Sequence, residues 1–191
     1  MIDFENFHTL DPEAVNTARA LVNGERGESG FEPFMMTWMG FNGWMEAITG
    51  DDRDRHMINA LADNRRATDA YDNLLQGSAE FHRQVRALSR LFPVLDLRDT
   101  RKKLGRDAFA RLPGPALILA CQRASVKQVP DGWVEGDTPT WPQVLRTIYQ
   151  IRCNLFHGGK SPHNRRDRDL VRRAQAVLTT FIDGSECFDW R

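Results

Sequence analysis

Apolar side chains recur at three- and four-residue intervals along most of this chain, the period of one buried face of an α-helix. The densest stripe runs through Phe31, Phe34 or Met35, Trp38, Phe41, Met45 and Ile48, and predicts a helix over residues 31–48. Met36, Met39 and Trp44 widen that stripe, so the helix belongs at the centre of a bundle or against a second copy of the chain. Asn42 lies within it. A buried amide needs hydrogen-bond partners, which makes Asn42 either a structural tie or a polar member of a site.

The same period predicts the other elements. Residues 11–22 read as a short helix, with Asp11 as N-cap and Pro12 at the first helical position. Glycines punctuate a loop over residues 24–30. One long, bent helix is expected over residues 54–75, on a face of Met57, Leu61, Ala67, Tyr71 and Leu74. Ser78 caps the next, with Phe81, Val85, Leu88 and Leu91 in phase before Pro93 ends it. Residues 96–115 suggest short helical pieces and turns, and the apolar run 116–121 a helix. A loop follows over residues 129–140, long enough to suggest a functional role. The last two helices have the clearest pattern. Thr140-Trp141-Pro142-Gln143 is a capping box ahead of a face made by Val144, Leu145, Ile148, Ile151, Leu155 and Phe156. Asn164 to Asp167 can cap a final helix, buried through Leu170, Val171, Ala174, Val177, Leu178 and Phe181, with Gly184 as its stop. The fold class expected is an all-α, single-domain helical bundle over residues 1–191.

Composition adds limits. At 191 residues and 41% hydrophobic content the chain can bury a full core. No apolar run is long enough for a transmembrane helix, and the first residues lack the basic and hydrophobic regions of an export signal. Three cysteines (Cys121, Cys153 and Cys187) without a CxxC pair fit reduced thiols, and together these features predict a cytoplasmic location. The net charge is +0, but its distribution is uneven. Residues 1–64 hold four arginines against twelve acids, so the remainder is basic. Between Arg152 and Arg173 stand seven basic side chains against Asp167 and Asp169, a run that suits either a phosphate-bearing partner or a solvated helix face.

The candidate chemistry lies where the penultimate helix ends. Arg152, Asn154, His157 and Lys160 fall within nine residues, closed by Gly158-Gly159. Arg152 and His157 would be about 140° apart around a regular helix and separated by about 7.5 Å of rise. A loosened last turn lets both address one phosphate. Histidine can move a proton near neutral pH, and arginine presents a fork of donors to phosphate oxygens. RNA carries its own nucleophile in the 2′-hydroxyl, so such a pair can cleave it without a metal. A histidine at a helix C-terminus is also what the macrodipole alone favours, so spacing leaves a capping role open. Cys153, His157 and His163 lack the paired spacing of a zinc site, and no phosphate-binding glycine loop or nucleophile elbow is present, so no metal or cofactor is expected.

The segment Tyr149-Gln150-Ile151-Arg152-Cys153-Asn154-Leu155-Phe156-His157-Gly158-Gly159-Lys160 resembles the Arg-x4-6-His signature of the HEPN superfamily, in its bacterial stand-alone or defence-linked branch. The aromatic helix around Trp38-Met39-Gly40-Phe41-Asn42-Gly43-Trp44 is similar to one in those proteins, and the motif-bearing helices span about residues 140–184. The resemblance implies a helical bundle that homodimerises and brings two motifs into one cleft. It implies a metal-independent endoribonuclease, a toxin or defence effector held by an antitoxin or other partner protein. Arg152 and His157 would be its catalytic pair, with Asn154 and Lys160 contacting substrate. Cys153 stands where many members have a polar residue, a role Asn154 would take over. Other members only bind a nucleotide, RNA or a protein partner, which is the alternative function.

Overall fold

A computed structural model describes residues 2–5, 7, 19, 22, 31–156 and 165–191, with the side chains of 106–110 excepted. Apart from residues 19 and 22, the helix expected over 11–22 lies outside the described residues, as do the 24–30 loop and His157, Lys160, His163 and Asn164. Among the described residues there are eight α-helices: α1 (Phe31–Thr49), α2 (Asp54–Ala62), α3 (Arg65–Gly77), α4 (Ala79–Ser89), α5 (Leu97–Arg111), α6 (Gly114–Arg123), α7 (Trp141–Phe156) and α8 (Arg165–Ser185). A two-residue ladder joins β1 (Val94–Leu95) to β2 (Gln128–Val129), antiparallel, with Val94 opposite Val129. A 3-10 turn, Cys187–Asp189, follows α8.

The central helix is α8, which packs against α1, α3, α4 and α7. Its predicted face is wholly buried: Leu170, Val171, Ala174, Val177, Leu178 and Phe181. It runs through Gly184 to Ser185, so that glycine is inside the last turn and is not the stop. Around it, α1 contributes Phe34, Trp38, Phe41, Trp44, Met45 and Ile48. Met36 and Met39 are exposed, which narrows the expected stripe.

The long helix expected over 54–75 is two helices. The Asn64 side chain accepts from the Ala67 N–H, which starts α3 afresh. Ser78 caps α4 as expected, accepting from the Phe81 N–H. At the start of α7 the Gln143 carboxamide reaches back to the Thr140 N–H at 3.0 Å, one arm of the capping box. Trp141 then lies against Phe181, with ring centroids 4.2 Å apart, and donates its indole N–H to the Leu61 carbonyl.

The segment 96–127, between the two short strands, is an excursion from the bundle. The chain leaves at β1, folds α5 against α6, and returns at β2. The irregularity expected in 96–115 is a kink at Gly105, where φ is 80°, and a break at 112–113 between α5 and α6. Residues 116–121 are helical, as their pattern predicts. The excursion is tied to α7 through Asn154 and through the packing of both short strands on that helix. No helix among the described residues is long and apolar enough to cross a membrane.

Candidate functional site

Arg152 sits in the last turn of α7, with its side chain drawn toward α1 and α2. Its Nη1 lies 2.8 Å from Asp54 Oδ2, and the two side chains are only 22% and 23% exposed. Asp54 is the first residue of α2, where the helix dipole favours a carboxylate. The guanidinium is flanked by rings. Its Cζ is 4.4 Å from the Phe156 centroid and 5.8 Å from that of Trp38. Phe156, expected in the buried face of α7, is instead 46% exposed and covers the arginine. Arg152 Nε is buried with no hydrogen-bond partner among the described residues. The result is a cation fixed by one carboxylate and two rings, with a side chain 22% exposed.

One turn earlier, Tyr149 stacks on Trp38 with centroids 6.0 Å apart, and its hydroxyl interacts with the Cys153 thiol. Burial pushes the Tyr149 phenol well above its ordinary value and raises the Cys153 thiol. Both stay protonated at neutral pH, so neither is a ready nucleophile or base there. Asn42 is one turn along α1 from Trp38, and its Oδ1 is buried without a partner among the described residues. Among the described residues no hydrogen bond to Oδ1 supports the structural-tie reading of Asn42.

Asn154, expected to contact substrate, lines the neighbouring cleft and also has a structural role. It is 3% exposed, and its amide is committed within the protein. Oδ1 accepts from the Leu97 N–H and from Gln150 Nε2, both at 3.1 Å, while Nδ2 donates to the Leu95 carbonyl at 2.8 Å. It joins α7 to the start of the α5–α6 excursion. Of the four candidate residues, Arg152 and Asn154 are thus close along the helix but face different tasks. His157 and Lys160 lie outside the described residues.

Neither a family model, nor a curated protein, nor a solved structure matches the chain. The site therefore has to be read from its own chemistry.

Beside Cys153 opens a cleft of about 880 Å³ between α7, α2 and the excursion. Arg98, Arg101 and Lys102 line it from α5, Arg55 from α2, and Lys127 from the approach to β2. Tyr149, Gln150, Cys153 and Asn154 form the opposing wall. Asp96 also lines it, but its Oδ1 accepts from the Arg98 and Asp99 N–H groups and so caps α5. Arg55, Arg98, Lys102 and Lys127 are exposed, and none is held in an ion pair among the described residues. Sequence reasoning missed this cluster. The usable signal was the i, i+3, i+4 spacing of Arg98, Arg101 and Lys102, which places them on one helix face.

The basic run expected to guide RNA is partly consumed by the fold. Arg166 donates to the Leu91 and Pro93 carbonyls, and Arg172 pairs with Asp169. Among the described residues no group of three or more His, Cys, Asp and Glu side chains is arranged to hold a metal.

Proposed function

We propose that the protein acts on RNA as a HEPN-like, metal-independent endoribonuclease. The observation that carries the reading is the position of Arg152, whose neighbour Cys153 lines a cleft walled by five cationic side chains. In the proposed step the substrate 2′-oxygen attacks the adjacent phosphorus, forming the O2′–P bond as the P–O5′ bond breaks. His157 takes the 2′-hydroxyl proton, and a protonated His157, its own or that of a second copy, gives one to the leaving 5′-oxygen. The products are a 2′,3′-cyclic phosphate and a 5′-hydroxyl. Arg152 stabilises the charge that builds on the phosphate oxygens. Homodimerisation would join two such motifs in one cleft, and a toxin or defence role would add an antitoxin or partner protein.

The decisive experiment is degradation of diverse single-stranded RNAs in EDTA by wild type, Arg152→Ala and His157→Ala. Loss of cleavage in both variants supports the assignment; cleavage surviving in both removes it. The Arg152–Asp54 ion pair favours a second reading, a non-catalytic HEPN-like module that binds RNA, a nucleotide or a protein, because the arginine is already neutralised. Well-folded wild type that binds RNA and never cleaves it would select that reading.

A further inference from the structure

A smaller cavity of about 210 Å³ adjoins the basic cleft, and the two share Arg55, Lys127, Tyr149 and Gln150. Their walls on α7 are Gln143, Arg146, Tyr149, Gln150, Cys153 and Asn154. Those positions recur at three- and four-residue intervals, so one face of α7 lines both. From Gln143 to Asn154 that face is about 16 Å long. The cavities are therefore one groove along α7, leading toward the turn that holds Arg152.

Charge is spread along this groove. The excursion contributes Arg98, Arg101, Lys102 and Lys127 on one side, and α2 contributes Arg55 on the other. Arg146 stands farther along, paired with Asp63. Among the described residues, the carboxylates in the lining are Asp96, engaged in the α5 cap, and Asp131. A compact phosphate group is best held by donors converging on one point. Cations arrayed along a recess instead match a ligand carrying phosphates at intervals. The recess is bounded on both sides, which suits one strand better than a duplex, whose recognition depends on broad contact across successive grooves.

We infer that the α7 groove is the seat of an extended single strand of RNA, held through its backbone phosphates and led by them to Arg152. The inference rests on the RNA reading above, but its test does not depend on cleavage. The probe is a short fluorescein-labelled 2′-O-methyl oligouridylate, which lacks the free 2′-hydroxyl. Binding to the full chain is followed by anisotropy over a series of salt concentrations. Arg98, Lys102 and Lys127 are changed together to Gln, and a control carries Arg65, Arg86 and Arg90 as Gln outside the groove.

The groove variant should bind about tenfold or more weakly, and its log–log salt slope should flatten by up to about 2, at about 0.7 for each phosphate no longer neutralised. The control should match wild type, and thermal melting should be equal for all three, since the substituted side chains are exposed. Wild-type affinity and slope in the groove variant would overturn the groove while leaving RNA action standing. Competition by uridine monophosphate as effective as that by the strand would overturn an extended ligand. Wild type that binds no strand at low salt would overturn the groove and the RNA reading together.

Discussion

Replacing Asp54 by Asn tests how Arg152 is held. The change keeps the shape of the side chain and an acceptor oxygen, but removes the charge 2.8 Å from the guanidinium. Two unit charges about 4 Å apart interact by about 4 kcal/mol at an effective dielectric constant near 20. Desolvation of both groups offsets much of this. Exposed pairs contribute about 0.2–1 kcal/mol, and breaking a fully buried pair costs about 3–5 kcal/mol. At 22% and 23% exposure, with two aromatic rings excluding water, this pair lies between those limits. Asp54→Asn should cost about 1.5–3 kcal/mol, which for a chain of this size is a fall in Tm of about 3–12 °C.

A double-mutant cycle isolates the pair. Arg152→Met retains an apolar stem against Phe156 and Trp38 while removing the charge. In that background Asp54→Asn should cost only the carboxylate's interaction with the α2 dipole, about 0.3–1 kcal/mol. The coupling from urea unfolding should therefore be about 0.5–2.7 kcal/mol. A coupling within about 0.5 kcal/mol of zero would refute the view that Asp54 positions Arg152. The same Asp54→Asn protein should bind uncleavable RNA more tightly than wild type, because phosphate no longer competes with a carboxylate for the guanidinium.

Asn154→Ala strands the Leu97 N–H, the Leu95 carbonyl and the Gln150 amide, so it should destabilise by about 2–4 kcal/mol in urea titration; unchanged stability would favour a ligand-binding role for Asn154 instead. Asp99 accepts from the Lys127 N–H and pairs with Lys103, which holds its carboxyl below the ordinary 3.8. A lowered folded value means that its stabilising effect is present above the unfolded value and disappears as pH falls through the folded one. The Lys127 amide resonance should therefore titrate below pH 3.8, and a midpoint at or above that value would contradict the Asp99–Lys127 hydrogen bond. Burial raises all three thiols, Cys187 to about 12, so iodoacetamide at neutral pH should label none quickly. Mass spectrometry should find Cys153 modified first, as the only one of the three that is not fully buried.

The helices were legible wherever local signals agreed. In α8 the apolar period is regular, and at Ser78 and Thr140–Gln143 a capping side chain marks the boundary. The break at Asn64 was hidden because Leu61, Ala67 and Tyr71 stay in plausible phase across it, with no Gly or Pro between them. The exposure of Met36, Met39 and Phe156 was hidden for a related reason. Period assigns a side chain to a helix face, but only the neighbouring elements decide whether that face is covered. The ladder of Val94 with Val129 leaves almost no trace in two-residue strands whose partners are far apart in sequence.

The site shows the same division between local and tertiary information. Arg152 and Asn154 were found by residue type at the end of an amphipathic helix, which is a local pattern. Their roles depend on Asp54 and Leu97, residues of other elements, and those interactions separate two polar neighbours that the sequence had grouped together. Asn154 becomes the peg that fixes the α5–α6 excursion against α7. That excursion in turn carries Arg98, Arg101, Lys102 and Lys127 to the helix whose end bears Arg152. The groove therefore depends on Asn154, which also lines it. Removing its three hydrogen bonds should loosen the basic wall as well as the fold, so an RNA-binding defect in Asn154→Ala would have to be weighed against stability before being assigned to direct contact.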